Sequence, residues 1–386
     1  MVDEKENQEK IVDSEKLAKI TEQFNSSNRI EQMINVWKEQ MKQGQTLFMK
    51  GGVGIGKTEM VKKCSQDLNR ELIMFHLARN SNTDFIIPNL DNGVMKFAVN
   101  EKLLKLKEGN KILFIDEYDR ADGMTRNAIL SLLNERVFED IKLPDSVAIV
   151  LAGNQETSRD TNTMNQAEWS RCSVYELNAK NLVKEDDYLK YWIKIAINKL
   201  QIDSRIVSFI LENPEKLYQE TEDNVQFATP RSWANLSKCM PIIDKLGKSD
   251  TVLKSQIISS YIGQGIGENF LTYLEIYSKL PSAKDILAGK LELSKDGEIE
   301  KKIAVSDILL NYLKNMGSDN SNKEALSKLE EVIKFISDKM GEELLYNFIM
   351  MGKEYKQVAE LFLKGSKNPV LIDILAEIAF MHSLDR

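Results

Sequence analysis

Gly51-Gly52-Val53-Gly54-Ile55-Gly56-Lys57-Thr58 decides the reading of this chain, together with Ile112-Leu113-Phe114-Ile115-Asp116-Glu117 further along. The first stretch is a complete phosphate-binding loop. Glycines without side chains let successive backbone N–H groups close around a triphosphate. Lys57 supplies positive charge for the β- and γ-phosphates, and the Thr58 hydroxyl can ligate Mg²⁺. The second stretch is an apolar run that ends on two acids, as a buried strand would when it delivers carboxylates to a metal and a water. The pairing predicts a site for Mg-ATP formed by Gly51, Gly52, Val53, Gly54, Ile55, Gly56, Lys57, Thr58 and Glu59, with Thr58 and Asp116 toward the metal. ATP hydrolysis is the activity expected of it. The contacts that would separate ATP from GTP lie outside both motifs.

Working outward, Thr46–Lys50, Glu71–Leu77, Lys111–Ile115, Ser146–Ala152 and Ser173–Leu177 read as strands. Helical spacing over Thr58–Asn69 and Gly123–Val137 lies between them. Alternating β and α elements predict an α/β fold with a mainly parallel sheet between helix layers. Pro88 and the Asp91-Asn92-Gly93 turn interrupt that alternation and predict a β-hairpin within Thr83–Phe97. Beyond residue 182 strand signals fade, and Leu182–Gln201 and most of the remaining chain read as helix. Residues 1–28, rich in Glu, Lys, Asn and Ser, read as a tail or loose helix. Polar stretches at 291–301 and 317–324 read as linkers.

Composition narrows the class. The chain has 386 residues, 42% apolar and 29% charged, with room for two or three domains. A net charge of −7 gives no global basic field for nucleic acid, although a local basic stripe is compatible with that sum. Three scattered cysteines (Cys64, Cys172, Cys239) and two histidines (His76, His382) build neither a zinc spacing nor a disulfide framework. No apolar run reaches membrane-spanning length, and a reducing cytoplasm is the expected compartment.

Several single residues have two readings. In the divided-labour reading, Asp116 holds the metal shell while Glu117 polarises the attacking water; alternatively Glu117 ends a strand in solvent. Asn154 closes the apolar run Ala148–Gly153 at the end of a parallel strand, where open α/β sheets place ligand contacts. It either orients the water and γ-phosphate or serves the turn after Gly153. Thr229-Pro230 reads as an N-cap followed by proline at the first helical position. Arg231 then sits where the helix dipole disfavours a cation, and either a nucleotide phosphate or a local carboxylate offsets that cost. Arg171, just before the fifth strand, is one arginine among many. Gly263, Gly265 and Gly267 read as a helix-breaking turn, and Phe348-Ile349-Met350-Met351 as core or interface.

Taken together, these motifs and their order resemble the MoxR-type AAA+ ATPases of the helix-2-insert clade. The resemblance runs through Asp-Glu-Tyr-Asp-Arg-Ala (116–121), Asn-Glu-Arg-Val (134–137), Lys-Leu-Pro-Asp (142–145), Leu-Ala-Gly-Asn (151–154) and Ala-Thr-Pro-Arg-Ser-Trp (228–233). It extends to Gly-Gln-Gly-Ile-Gly-Glu-Asn-Phe-Leu (263–271) and Leu-Pro-Ser-Ala-Lys-Asp-Ile-Leu-Ala (280–288). It implies a five-stranded αβα core of order 5-1-4-3-2 over residues 29–182. A helical lid over 183–290 and a helical extension over 291–386 come after the core. It further implies that Asn154 is sensor 1, Arg231 sensor 2, and Arg171 the finger lent to a neighbouring subunit. The hinge would fall near residues 178–185. Such proteins are typically hexameric rings that remodel or chaperone a protein client, often beside a partner with a von Willebrand factor A domain. Gly52-Val53 replaces the usual Pro-Pro, and Trp169-Ser170 before Arg171 departs from the common pattern. Lys57, Thr58, Asp116 and Glu117 keep it. A nucleic-acid motor or loader is the rival class.

Overall fold

The computed structural model describes residues 29–77, 86–91, 94–121, 123–138, 141–154, 166–177, 186–219, 226–246, 250–294, 297–316 and 322–365. The expected tail 1–28 and the hinge at 178–185 lie outside them. Arg29–Leu182 and Val183–Arg386 are distinct compact units.

The first unit opens with α1 (Arg29–Lys42), which buries Ile30, Ile34, Trp37 and Met41 along one face. That spacing of four, three and four residues is one helical stripe. Then come β1 (Thr46–Gly51), α2 (Lys57–Leu68), β2 (Leu72–His76), β3 (Ile86–Asp91), β4 (Val94–Val99), α3 (Glu101–Lys105) and β5 (Ile112–Asp116). A 3-10 turn over Tyr118–Arg120 leads to α4 (Gly123–Glu135), the ribbon β6 (Val137–Phe138) and β7 (Ile141–Lys142), β8 (Ala148–Gly153), α5 (Gln166–Trp169) and β9 (Ser173–Leu177).

Five strands form a parallel sheet in the order β2-β5-β8-β1-β9. Counting only these five along the chain and starting from β9, the order is 5-1-4-3-2, as the resemblance implies. β5 and β8 lie inside the sheet and are apolar on both faces, which is why their sequences run without alternation. Leu113, Ile115, Ile149 and Leu151 join the core that holds Ile129 and Leu132 of α4. Their neighbours Phe114 and Val150 point to the opposite face, the one on which α1 and α2 pack. Burying each such side chain contributes about 1.5–3 kcal/mol. β3 and β4 form the antiparallel hairpin expected before the third sheet strand, paired from Ile86↔Val99 to Asp91↔Val94.

The second unit is helical: α6 (Asp186–Asn198), α7 (Ser204–Glu212), α8 (Pro230–Lys245), α9 (Thr251–Ile262), α10 (Gln264–Tyr277), α11 (Ala283–Leu287), α12 (Ile299–Met316), α13 (Asn322–Met340), α14 (Glu342–Gly352) and α15 (Lys356–Gly365). Its centre is aromatic. Phe209, Trp233, Phe270 and Tyr273 meet with ring centroids 5.1–6.0 Å apart. Asp307 of α12 is fully buried and accepts hydrogen bonds from Ser204 and Ser208 of α7, Tyr277 of α10 and Asn311. These bonds join the expected lid to the expected extension at a single carboxylate. Gly263 separates α9 from α10, whereas Gly265 and Gly267 lie inside α10, so only the first glycine breaks a helix. α12 and α13 begin inside the stretches read as linkers. Phe348, Ile349, Met350 and Met351 are all buried.

Candidate nucleotide site

Parallel pairing brings the carboxyl ends of the sheet strands to one edge. Lys50 of β1 pairs with Gly153 of β8, and His76 of β2 with Asp116 of β5. The loop Gly51–Gly56 leaves β1 at this edge and closes on the first turn of α2. Gly54 (φ 77°) and Gly56 (φ 94°) turn it with left-handed backbone that a side chain at either position would strain. Ile55 is buried beneath the loop and Val53 is exposed above it. The first N–H groups of α2 have no intrahelical acceptor, and the helix dipole places partial positive charge there.

The Lys57 ammonium donates to the carbonyls of Gly51 (2.8 Å) and Gly52 (3.0 Å) and to Oδ1 of Asn154 (3.2 Å). The Thr58 hydroxyl donates to Oδ2 of Asp116 at 3.0 Å. Glu117 comes next in left-handed backbone (φ 57°), unusual for a residue with a side chain, and its N–H donates to Oδ1 of Asp116. Its carboxylate is partly exposed and lies 4.0 Å from Arg120. The side chain of Glu59, on the first turn of α2, is engaged by Lys62 at 2.7 Å.

Lys57, Thr58, Asp116, Glu117 and Asn154 therefore share one edge of the sheet. Arg171 is exposed in the turn between α5 and β9, with its guanidinium 3.3 Å from the Ser170 hydroxyl. Arg231 belongs to the other unit. It is exposed in the first turn of α8, behind a capping box in which Thr229 and Ser232 bond reciprocally. Among the described residues it forms no ion pair.

Two further residues belong to this edge. His76 lies at the end of β2 with Nδ1 3.8 Å from Asp116 Oδ2; its place beside Asp116 is set by strand register alone. Asp119 is buried, accepts from the Asn154 N–H at 3.1 Å, and leaves Oδ2 without a partner among the described residues. It holds the backbone at the end of β8, where Asn154 emerges.

Residues 46–172 match the family model described as AAA domain (dynein-related subfamily). That stretch is similar to an AAA domain. The chain is also 32% identical over 130 residues to a UPF0758 protein of Fusobacterium nucleatum, covering 32% of this chain and 54% of that protein. It thus spans about half the length of that curated relative. Among solved structures, the RuvB Holliday junction branch migration motor of Thermotoga maritima matches at 16% identity and a TM-score of 0.36, covering 70% of this chain and 78% of that one. NtrX from Brucella abortus, in complex with ADP, matches at 12% identity and a TM-score of 0.40, covering 94% of this chain and 74% of that one.

Proposed function

We propose that the chain is a MoxR-type AAA+ ATPase that binds Mg-ATP at Gly51–Glu59, hydrolyses it within an oligomeric ring, and couples turnover to remodelling of a protein client. The convergence of Lys57, Thr58, Asp116 and Asn154 at one sheet edge, through the Lys57–Asn154 and Thr58–Asp116 hydrogen bonds, carries this reading.

The donor set fits Mg²⁺. A hydroxyl and a carboxylate oxygen 3.0 Å apart are hard ligands, and Mg²⁺ commonly takes one or two protein oxygens while phosphate and water fill the rest. When bound, the ion would neutralise charge developing on the phosphates.

The protein's own groups divide the remaining work. Lys57 exchanges its carbonyl partners for phosphate oxygens and anchors the triphosphate. Glu117, one residue beyond the metal-facing acid, accepts a proton from the attacking water. Asn154, held to Lys57 and to Asp119, fixes where that water and the γ-phosphate meet. Arg171 of one protomer stabilises charge at its neighbour's phosphate, and Arg231 reports the phosphate to the helical unit. No described helix is long and apolar enough to cross a membrane.

Phosphate release from Mg-ATP, measured beside particle mass, tests the proposal. Glu117→Gln should keep nucleotide affinity, lose hydrolysis by about 10²–10⁴-fold, and remain assembled with ATP bound. Unchanged turnover in that variant would sink the assignment of the base. A monomer at saturating Mg-ATP would sink the ring.

A further inference from the structure

Glu168 sits on the one-turn helix α5 and is 1% exposed, yet it carries a carboxylate. Tyr118 donates its hydroxyl to Oε1 at 2.7 Å. Arg126 of α4 donates Nε to Oε1 at 3.1 Å and Nη2 to Oε2 at 2.6 Å. The Arg126 guanidinium also lies over the Tyr118 ring, 5.5 Å from its centroid. Burial alone would lower the Arg126 guanidinium, but the hydrogen bonds and charge of Glu168 hold it above its ordinary value. Burial and the Glu168 bond both push the Tyr118 phenol upward, so it stays a donor.

The chain positions of these groups give the cluster meaning. Tyr118 directly follows Glu117, whose backbone is left-handed. Glu168 precedes Arg171 by one turn, and the Arg171 N–H donates to the Glu168 carbonyl at 3.2 Å. Trp169, between them, packs edge-on against Phe48 of β1 at 5.8 Å, and Phe48 meets Tyr118 at 6.3 Å. The turn that presents Arg171 is thus fixed through one carboxylate to the segment that presents Glu117. A buried ion pair is weak evidence for stability, since apolar side chains of similar volume commonly serve as well. What it supplies is fixed geometry, and here it joins two residues of the proposed chemistry.

We propose that Tyr118, Glu168 and Arg126 form a positioning clamp that sets Glu117 in a protomer's own site and, at the same time, the Arg171 it lends to its neighbour. The clamp rests on the shared-site ring proposed above. It makes the two ends of a protomer answer to one hydrogen-bonded unit, so that a shift at either site is felt at the other.

Mixed assemblies separate the clamp from the ring it depends on. Glu117→Gln protomers still offer Arg171, and Arg171→Ala protomers still offer Glu117. Mixing the two should restore ATP hydrolysis that neither shows alone. Tyr118→Phe, which removes only the hydroxyl and keeps the ring, is then added to one partner at a time. Recovered activity should fall on the order of tenfold in both arms, with the Kd for Mg-ATP unchanged. If the unmodified mixture recovers nothing, the shared-site reading fails and the clamp with it. If the mixture recovers but Tyr118→Phe in the Arg171 donor leaves the rate untouched, the clamp alone is overturned. Should Tyr118→Phe lower the melting midpoint, Glu168→Gln keeps an acceptor for the phenol and removes the charge, and the same two arms are read with it.

Discussion

Glu168 and Asp307 are both buried carboxylates, one in each compact unit, and their surroundings differ. Glu168 meets a guanidinium through two oxygens and a phenol through one. The hydrogen-bond donors to Asp307 are Ser204, Ser208, Tyr277 and Asn311, none of them charged. The nearby Arg205 is engaged instead by Asp203 and Asp244. Burial therefore pushes Asp307 up to about 6, although its hydrogen bonds pull the other way and Asp203 adds to the rise. A paired buried charge holds one geometry at any ordinary pH. One solvated only by hydroxyls and an amide makes its unit sensitive to pH. The proposed nucleotide chemistry calls for the first kind, since its charged groups would have to stay in place through turnover.

The largest effect expected concerns use of the first unit's charge across protomers. Arg171→Ala should lower ATP hydrolysis by about 10³–10⁵-fold while leaving nucleotide affinity near that of the parent. Steady-state phosphate release beside equilibrium nucleotide binding checks this. Parent-like turnover would confine Arg171 to the surface of its own unit.

Breaking the paired carboxylate comes next. Arg126→Met leaves Glu168 buried and uncompensated, at a cost of about 3–5 kcal/mol in denaturant unfolding. Adding Glu168→Gln to that variant should recover part of the loss, because no charge then remains to be solvated. A double variant less stable than the single one would show that packing, rather than charge, governs the site.

The unpaired carboxylate should respond in the opposite sense. Its folded-state value lies above the ordinary 3.8, so the folded unit keeps a proton that the unfolded chain has released. That contribution favours folding below about pH 4 and is lost as pH rises through 6. Asp307→Asn should flatten this part of the profile and raise stability at pH 7.5, by up to about 3 kcal/mol. Glu212, pushed up to about 7 by burial and by Glu343, adds a slope of the same sign. The difference between parent and variant is therefore the quantity to read. If Asp307→Asn destabilises equally at pH 5 and pH 8, the carboxylate is needed as an acceptor and its titration is irrelevant.

Legibility in the sequence divides along similar lines. The sheet strands are readable because central strands of a parallel sheet are continuous apolar runs, and Ser173–Leu177 is found over the very residues expected. The phosphate loop and acid pair are readable because their chemistry needs neighbours in the chain. The α1 helix is missed, although Ile30, Ile34, Trp37 and Met41 mark one face at helical spacing. His76 becomes visible only when β2 is laid beside β5. The Tyr118–Glu168 bond spans 50 residues, and no local pattern encodes it. Asp307 escapes for a different reason. A single aspartate among the apolar residues of a helix looks like a surface position until α7 and α10 supply its donors.

The smallest expected effects concern the start of α8. Thr229 accepts from the Ser232 N–H at 3.0 Å, and the Ser232 hydroxyl accepts from the Thr229 N–H at 2.8 Å. Thr229→Ala removes one half of this box and should cost about 1 kcal/mol in the helical unit. Arg231→Ala should do the reverse, because a cation in the first turn opposes the helix dipole. Its removal should stabilise the isolated protein by roughly a few tenths of a kcal/mol. If Arg231 takes a phosphate, the same variant must also bind Mg-ATP more weakly, so stability and affinity move in opposite directions. Nucleotide titrations alongside melting curves separate the two effects. A stability gain with unchanged affinity would leave Arg231 as a surface residue, and the helical unit would need some other way to sense the nucleotide.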